Sequence, residues 1–210
     1  MDRYKETFDT WNNIASIYQD KFMTMDLYND TYDFICNFID KPKAKILEIG
    51  CGPGNITKYL LSKRPDFEIL GIDFAPRMIE LASLANPEAK FAVLDARNLQ
   101  EIQDQFAGIV CGFCLPFLTH EELRKFIKDC SVLLIQNGLL YLSFVEGDPA
   151  NSGFKSGNNG DRVYFNYHTL ETVETLLAEN QFAGLKLFHV NFKRSETEHE
   201  IHTILIARKS

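Results

Sequence analysis

The densest chemistry in the chain lies in Glu48-Ile49-Gly50-Cys51-Gly52-Pro53-Gly54-Asn55. Alternate glycines permit a tight turn and let the backbone approach a ligand closely, and the helix that follows offers N–H groups with no intrahelical partner. Two further acids stand at matching places downstream, Asp73 after the run FEILGI and Asp95 after KFAVL. A doubly wound fold presents a carboxylate to a ribose about 20 residues beyond its glycine turn, and Asp73 falls there. One carboxylate accepting from two hydroxyls is a good match. Asp95, in Leu94-Asp95-Ala96, is suited to accept from an adenine amino group while the backbone N–H of Ala96 or Arg97 reads a ring nitrogen. Any one of these acids alone reads as a solvated loop residue, but three at successive strand ends read as a nucleotide-type site.

A sheet has to hold these groups, and the apolar pattern supplies one. It switches repeatedly between strand-like runs and helix-like periods, the mark of α/β architecture. Residues 7–20 and 26–39 read as two leading helices, the first with Phe8, Trp11, Ile14, Ala15 and Tyr18 at three- and four-residue spacing. Strand 45–49, helix 56–64, strand 67–72, helix 76–85, strand 90–94 and strand 107–113 follow, with Pro76 suited to a first helical turn. Thr119 and Glu122 form a capping box for a helix running to Leu134, with Leu123, Phe126, Ile127 and Cys130 on one face. Asn137-Gly138 ends that helix and opens a fifth strand, 139–147. The polar stretch 147–162 reads as a mobile loop before a helix at 168–179. The last two runs, 185–192 and 199–209, are joined too briefly for a parallel crossover and must be antiparallel. The expected organisation is one domain over 1–210, with 1–40 as a helical lid and 41–210 as the α/β core.

Composition narrows the partners. The 210 residues are 45% hydrophobic and 24% charged, ordinary values for a globular chain long enough to bury a full core. A net charge of −7 without a basic run disfavours nucleic acid. The charged opening MDRYKETFDTW and the lack of any long apolar run point to a cytoplasmic protein with no membrane partner. Five cysteines scattered through apolar surroundings read as buried small hydrophobes rather than a disulfide framework. Cys111 and Cys114 lack the second pair or the histidine that a zinc site needs, and His199 and His202 fall on opposite faces of a strand. No metal site is expected.

Charge also separates the nucleotides such an edge binds. A dinucleotide brings a pyrophosphate to the glycine turn, where Glu48 is unwelcome unless it points away, whereas S-adenosylmethionine brings an ammonium and a sulfonium that a nearby acid favours. The turn also departs from G-x-G-x-x-G, having Asn55 at the last position.

The motifs ILEIGCGPGNIT, GIDFA, LDAR and GFCLPFLTHEEL, in that order over about residues 45–145, resemble those of the class I S-adenosylmethionine-dependent methyltransferases of the small-molecule type. The resemblance implies a Rossmann-like seven-stranded sheet of order 3-2-1-4-5-7-6 with one antiparallel strand, and S-adenosylmethionine as cofactor. It implies that Glu48, Gly50, Cys51 and Gly52 line the methionine moiety and that Asp73 meets the ribose. Phe74 and Met78 take the adenine face, Asp95 and Ala96 the adenine edge, and Gly112 and Phe113 close the cleft beneath the sulfonium. Asn13 to Asp20 resembles the family's A-x-x-Y entry, which makes Tyr18 a lid contact. One departure is Ala107-Gly108, where the family often opens its fourth strand with an acid.

Methyl transfer from a sulfonium is an in-line displacement that positioning and desolvation largely accelerate, so no obligatory catalytic side chain follows. A phenol, alcohol or protonated amine needs a base, for which His120 and His168 are the candidates, although each also suits a helix cap or a surface place. The acceptor should lie against what covers the sheet edge, with Phe22, Tyr28, Phe154, Arg162, Tyr164 and Tyr167 as candidate contacts. Aromatic residues suit a small, partly apolar acceptor, and Arg162 suits a carboxylate or phosphate. The fourth strand continues Gly112-Phe113-Cys114-Leu115-Pro116-Phe117 and lacks the (Asn or Asp)-Pro-Pro-(Tyr or Phe) motif used for planar amino groups. The reading is therefore an enzyme that methylates a small molecule. A non-catalytic S-adenosylmethionine-binding protein and an NAD-dependent oxidoreductase are the alternatives.

Overall fold

Ile46, Leu47 and Ile49 are fully buried because their strand is the centre of a sheet covered on both faces, where a near-continuous apolar run is required. The computed structural model describes residues 3–157, 160–196 and 198–210. In chain order the elements are α1 (Arg3–Phe22), α2 (Asn29–Phe38), β1 (Lys45–Ile49), α3 (Asn55–Lys63), β2 (Glu68–Asp73), α4 (Pro76–Ala85), β3 (Lys90–Val93) and β4 (Phe106–Gly112). Then come α5 (His120–Leu133), β5 (Leu134–Val145), β6 (Gly153–Ser156), β7 (Arg162–Phe165), α6 (Leu170–Glu179), β8 (Phe182–Lys193) and β9 (His199–Lys209).

The main sheet has the order β3-β2-β1-β4-β5-β9-β8. Numbered within that sheet alone, this is the 3-2-1-4-5-7-6 order that the resemblance implies. Strands β1 to β5 pair in parallel, and β9 is antiparallel to both β5 and β8. From β1 the chain winds outward to β3 and then returns to the other side of β1 as β4, so the topological switch opens a crevice at the carboxyl ends of β1 and β4.

Strand alternation divides the core. Ile46, Val110, Tyr141 and Ile206 face α2 and α3, packing with Tyr32, Ile35, Ile56 and Leu60. Leu47, Ile49, Ile109, Cys111 and Leu140 face α5 and α6, packing with Leu123, Phe126, Ile127, Val173 and Leu176. The capping box of α5 is complete, with Thr119 Oγ1 accepting from Glu122 N and Glu122 Oε2 accepting from Thr119 N at 2.7 Å.

Two segments differ from the sequence reading. The stretch 147–162 is not a featureless loop: a short 3₁₀ turn, Pro149–Asn151, leads into the antiparallel hairpin β6–β7. Its strands are short, and tertiary bonds hold them. Thr10 Oγ1 donates to Arg162 O at 2.8 Å, Tyr164 N donates to Thr7 Oγ1 at 3.0 Å, and Arg162 pairs with Glu6 at 2.7 Å, so α1 templates the hairpin. Strand β5 also starts earlier than expected, at Leu134, which pairs with Phe106 before an irregularity lets the ladder resume at Leu139. Asn137, at φ 64°, takes the left-handed conformation there that asparagine tolerates.

Candidate functional site

A cavity of about 290 Å³ opens at the carboxyl ends of β1, β2 and β4, roofed by α1 and flanked by β7 and β9. Its floor is the glycine turn. Gly50 and Gly52 have φ of 67° and 52°, a region that side chains disfavour. A Cβ on Gly50 would stand 3.1 Å from the Cys114 Cβ, and one on Gly52 would meet the Tyr18 ring at 3.7 Å. The turn is tied to the end of β2: Cys51 N donates to Ile72 O at 3.0 Å, Gly52 N to Asp73 Oδ2 at 3.0 Å, and Ala75 N to Asp73 Oδ1 at 2.9 Å. Burial pushes the Asp73 carboxyl up to about 6, against the pull of these N–H groups.

Most of the expected cofactor residues come together here. Tyr18, Gly50, Cys51, Gly52, Asp73, Phe74, Met78, Asp95, Ala96, Gly112 and Phe113 all line the cavity. Glu48 does not. Strand alternation turns it with Ile46 toward α3, where Thr57 Oγ1 donates to Oε2 while Oε1 has no partner among the described residues. Burial pushes its carboxyl up to about 8, so near neutral pH it is largely protonated.

Asp95 is held by its own loop. Its Oδ1 accepts from Arg97 N at 2.9 Å, and the Arg97 guanidinium reaches both oxygens at 2.9 and 2.5 Å. Burial alone would raise this carboxyl, but Arg97 holds it below its ordinary value. Arg97 also lies 4.1 Å from the centre of the Tyr4 ring, and Tyr4 donates to Glu122 Oε1 at 2.8 Å.

Aromatic side chains form the roof and the far end. Tyr18 meets Trp11 edge-on at 5.4 Å and Phe22 at 4.3 Å, and the indole N–H of Trp11 has no partner among the described residues. Phe22, Tyr28 and Tyr164, expected at the acceptor, line the cavity, whereas Phe154, Arg162 and Tyr167 do not. Phe154 meets Tyr164 across the hairpin at 5.3 Å with the Arg162 guanidinium over its ring, and Tyr167 packs beside Gly147.

Neither histidine considered as a base reaches the cavity. His120 is exposed at the start of α5. His168 is buried, with Nε2 3.2 and 3.0 Å from the carbonyl oxygens of Leu115 and Leu118, so that nitrogen bears the proton and bridges the turn after β4. His202 stands in the cavity wall instead, with Tyr28, Phe113, Phe192 and Glu200. The sequence weighed His202 only as a partner for His199, yet Glu200 and His202 are two apart on β9 and share a face. Phe113, at φ 55°, holds a strained backbone beside them, and its N–H donates to Ser143 O at 3.0 Å. Among the described residues no group of three potential ligands is placed to hold a metal ion.

Comparison with known proteins agrees with this architecture. Residues 46–138 match the model of the methyltransferase domain family. A demethylmenaquinone methyltransferase of Thermotoga maritima is 26% identical over 145 residues, 68% of this chain and 58% of that one. The chain spans about half the length of the curated relatives it matches, from 44% to 62% for three of them. An S-adenosylmethionine-dependent methyltransferase from Methanosarcina mazei superposes with a TM-score of 0.68 at 22% identity, over 84% of this chain and 96% of that one. The 1,6-didemethyltoxoflavin-N1-methyltransferase of Burkholderia thailandensis, crystallised with 1,6-didemethyltoxoflavin and S-adenosylhomocysteine, superposes at 0.71 with 18% identity, over 100% of this chain and 91% of that one. At these identities the structural likeness speaks for the fold.

Proposed function

We propose that this chain is a class I S-adenosylmethionine-dependent methyltransferase that binds S-adenosylmethionine across the glycine turn and methylates a small acceptor beneath α1 and β7, a reading supported by the methyltransferase-domain match over residues 46–138 and by the fold. The observation that carries the reading is Asp73, held at the cavity wall by one backbone N–H on each oxygen, with a lone pair left on each for a ribose hydroxyl.

The donor set fits the cofactor. The glycine floor under Tyr18 leaves room for a backbone-close ligand, and Asp73, ionised above about pH 6, gives the wall beside the turn a negative charge suited to a cation and poorly suited to a pyrophosphate. Bound there, S-adenosylmethionine supplies a methyl carbon made electrophilic by its sulfonium. Gly50, Cys51 and Gly52 seat the methionine moiety, Phe74 and Met78 the adenine face, and Asp95 with Ala96 the adenine edge. Arg97 keeps Asp95 ionised for that task. Gly112 and Phe113 would line the cleft on the sulfonium side, and Tyr18 would cover it. Phe22, Tyr28 and Tyr164 receive the acceptor, and the aromatic roof of α1 excludes water, which strengthens every electrostatic contact inside. Glu48 lies behind the turn on Thr57 and does not reach the cavity.

A small acceptor suits the cavity volume and the net charge of −7. No helix among the described residues is long and apolar enough to cross a membrane. Calorimetric titration with S-adenosylmethionine, S-adenosylhomocysteine and NAD tests the reading. Micromolar binding of the first two without NAD supports it, and NAD binding alone or silence from all three overturns it. Turnover of any methyl acceptor then separates an enzyme from a non-catalytic binder.

A further inference from the structure

At the end of the cavity formed by β9, three polar side chains from distant parts of the chain make one line. The Tyr28 hydroxyl lies 2.7 Å from His202 Nδ1, and His202 Nε2 lies 3.0 Å from Glu200 Oε2. A carboxylate only accepts, so Nε2 carries the imidazole proton, which leaves Nδ1 bare to accept from the Tyr28 O–H. The ring has no freedom to turn away. Phe192 stacks on it at 4.8 Å and 16°, the Tyr28 ring lies nearly parallel to it at 6.0 Å and 14°, and Phe113 meets it edge-on at 4.7 Å. All of these residues line the cavity, although Tyr28 and His202 are only 7% and 6% exposed.

We propose that Tyr28, His202 and Glu200 form a proton relay that deprotonates the methyl acceptor, so that the acceptor is a molecule bearing an ionisable O–H or N–H. The proposal rests on the methyltransferase reading above and deepens it. In the step, the acceptor proton passes to Tyr28 Oη as the Tyr28 proton passes to His202 Nδ1. The electron pair freed on the acceptor oxygen or nitrogen forms the bond to the methyl carbon, and the carbon–sulfur pair leaves on sulfur. Glu200 neutralises the resulting imidazolium. Tyr28 is the catalytic residue, and His202 and Glu200 act through it.

The surroundings suit the task. The charged and titratable groups facing the ring are Tyr28 from the α1–α2 connection, Glu200 on its own strand, and Arg194 from the β8–β9 turn, which lies 3.6 Å from the other Glu200 oxygen. Tyr18 and Tyr141 face Tyr28 from the roof and the sheet. Burial holds His202 below its ordinary value against the opposing pull of Glu200, which keeps the imidazole neutral and able to accept near neutral pH. Burial holds the Tyr28 phenol well above its ordinary value, so it carries a proton through rather than resting as phenolate.

The test combines histidine ¹⁵N NMR on the S-adenosylhomocysteine complex with methyl transfer to catechol, 4-hydroxyphenylacetate and phenol, set against pyridine and dimethyl sulfide, which have no proton to lose. Wild type is compared with Tyr28→Phe, Glu200→Gln and His202→Gln, each checked for a native melting transition. Expected are a bare Nδ1 on His202 that takes a proton only below the ordinary histidine range, and its titration moved to still lower pH in Glu200→Gln. Turnover should be confined to proton-bearing acceptors, and Tyr28→Phe should lower kcat about 100-fold or more and abolish the acidic limb of the pH profile while cofactor affinity is unchanged. A His202 protonated on Nδ1 or silent to pH overturns the relay, as does transfer to pyridine at the rate for catechol or a Tyr28→Phe variant with wild-type kcat and pH profile. If none of the five acceptors turns over, the NMR titration alone decides. Failure of wild type to bind S-adenosylmethionine is a different result, and it removes the proposed function itself.

Discussion

Glu48→Gln should stabilise the protein, and the gain should grow with pH. Glu48 is 1% exposed, its Oε2 accepts from Thr57, and its Oε1 has no partner among the described residues. Burial raises its carboxyl from 4.5 to about 8, so the folded state binds a proton that the unfolded chain releases. A raised acid contributes its full stability below the unfolded value and loses it as pH climbs toward the folded value. At about 1.4 kcal/mol per unit, the loss reaches about 3 kcal/mol near pH 7 and levels off above about pH 8. Glutamine keeps an oxygen for Thr57 and sets its NH₂ where Oε1 already lacks a partner, so the substitution removes the ionisation with little other change. Urea unfolding of both proteins from about pH 5 to pH 8 should show a difference near zero at the acid end that rises to a few kcal/mol. A difference that stays flat with pH, or a variant less stable at the alkaline end, refutes the reasoning and returns an ionised Glu48 to the folded protein.

Asp73→Ala should weaken S-adenosylmethionine binding at least about tenfold in calorimetry, the cost of losing charge-assisted hydrogen bonds, and unchanged affinity in a folded variant removes Asp73 from the site. Because Asp73 is raised to about 6, a cationic ligand competes with its proton. Affinity should therefore climb as pH rises toward about 6 and level off above it, and a flat profile contradicts an ionised Asp73 in the complex. Thr119→Ala removes half of the α5 capping box and should cost about 1 kcal/mol in a thermal melt without changing cofactor affinity.

The parts of the fold read most directly from the residues are those set by local pattern. The run Lys45–Ile49 reads as an interior strand through Ile46, Leu47 and Ile49, and Thr119 with Glu122 marks a helix start by side-chain chemistry alone. The hairpin β6–β7 is hidden in the sequence because Arg162–Phe165 is only four residues, following directly on a Gly- and Asn-rich stretch, and α1 supplies the bonds that make it a strand. In the site, Gly50, Gly52, Asp73 and Asp95 were legible because parallel strands all deliver their carboxyl ends to one edge. Glu48 falls outside the cavity for a reason the sequence itself contains, since its parity with Ile46 turns it toward α3. The Tyr28–His202 contact joins residues 174 apart, and neither carries a local signal for the other.

Segments remote in sequence also determine what covers the cavity, and they are bound to one another. Helix α1 gives Asn12 Oδ1 to Arg77 N at 3.0 Å, satisfying a donor in the first turn of α4, where Ala75 supplies no side-chain cap. The same helix holds the hairpin through Glu6, Thr7 and Thr10 and presents Trp11, Tyr18 and Phe22 to the cavity. Lifting α1 therefore exposes the aromatic roof, frees the N-terminus of α4 beside Asp73, and leaves Tyr164 N and Arg162 O without their partners. Cofactor end and acceptor end share one cover, so a substitution in α1 that repositions Phe22 also disturbs Tyr18 above the glycine turn. The sheet edge beneath, tied by Gly52 and Ala75 to Asp73, does not depend on that cover. On the proposed reading, binding of the cofactor would rest on β1, β2 and their turns, and selection of the acceptor on the elements that pack on one another above them.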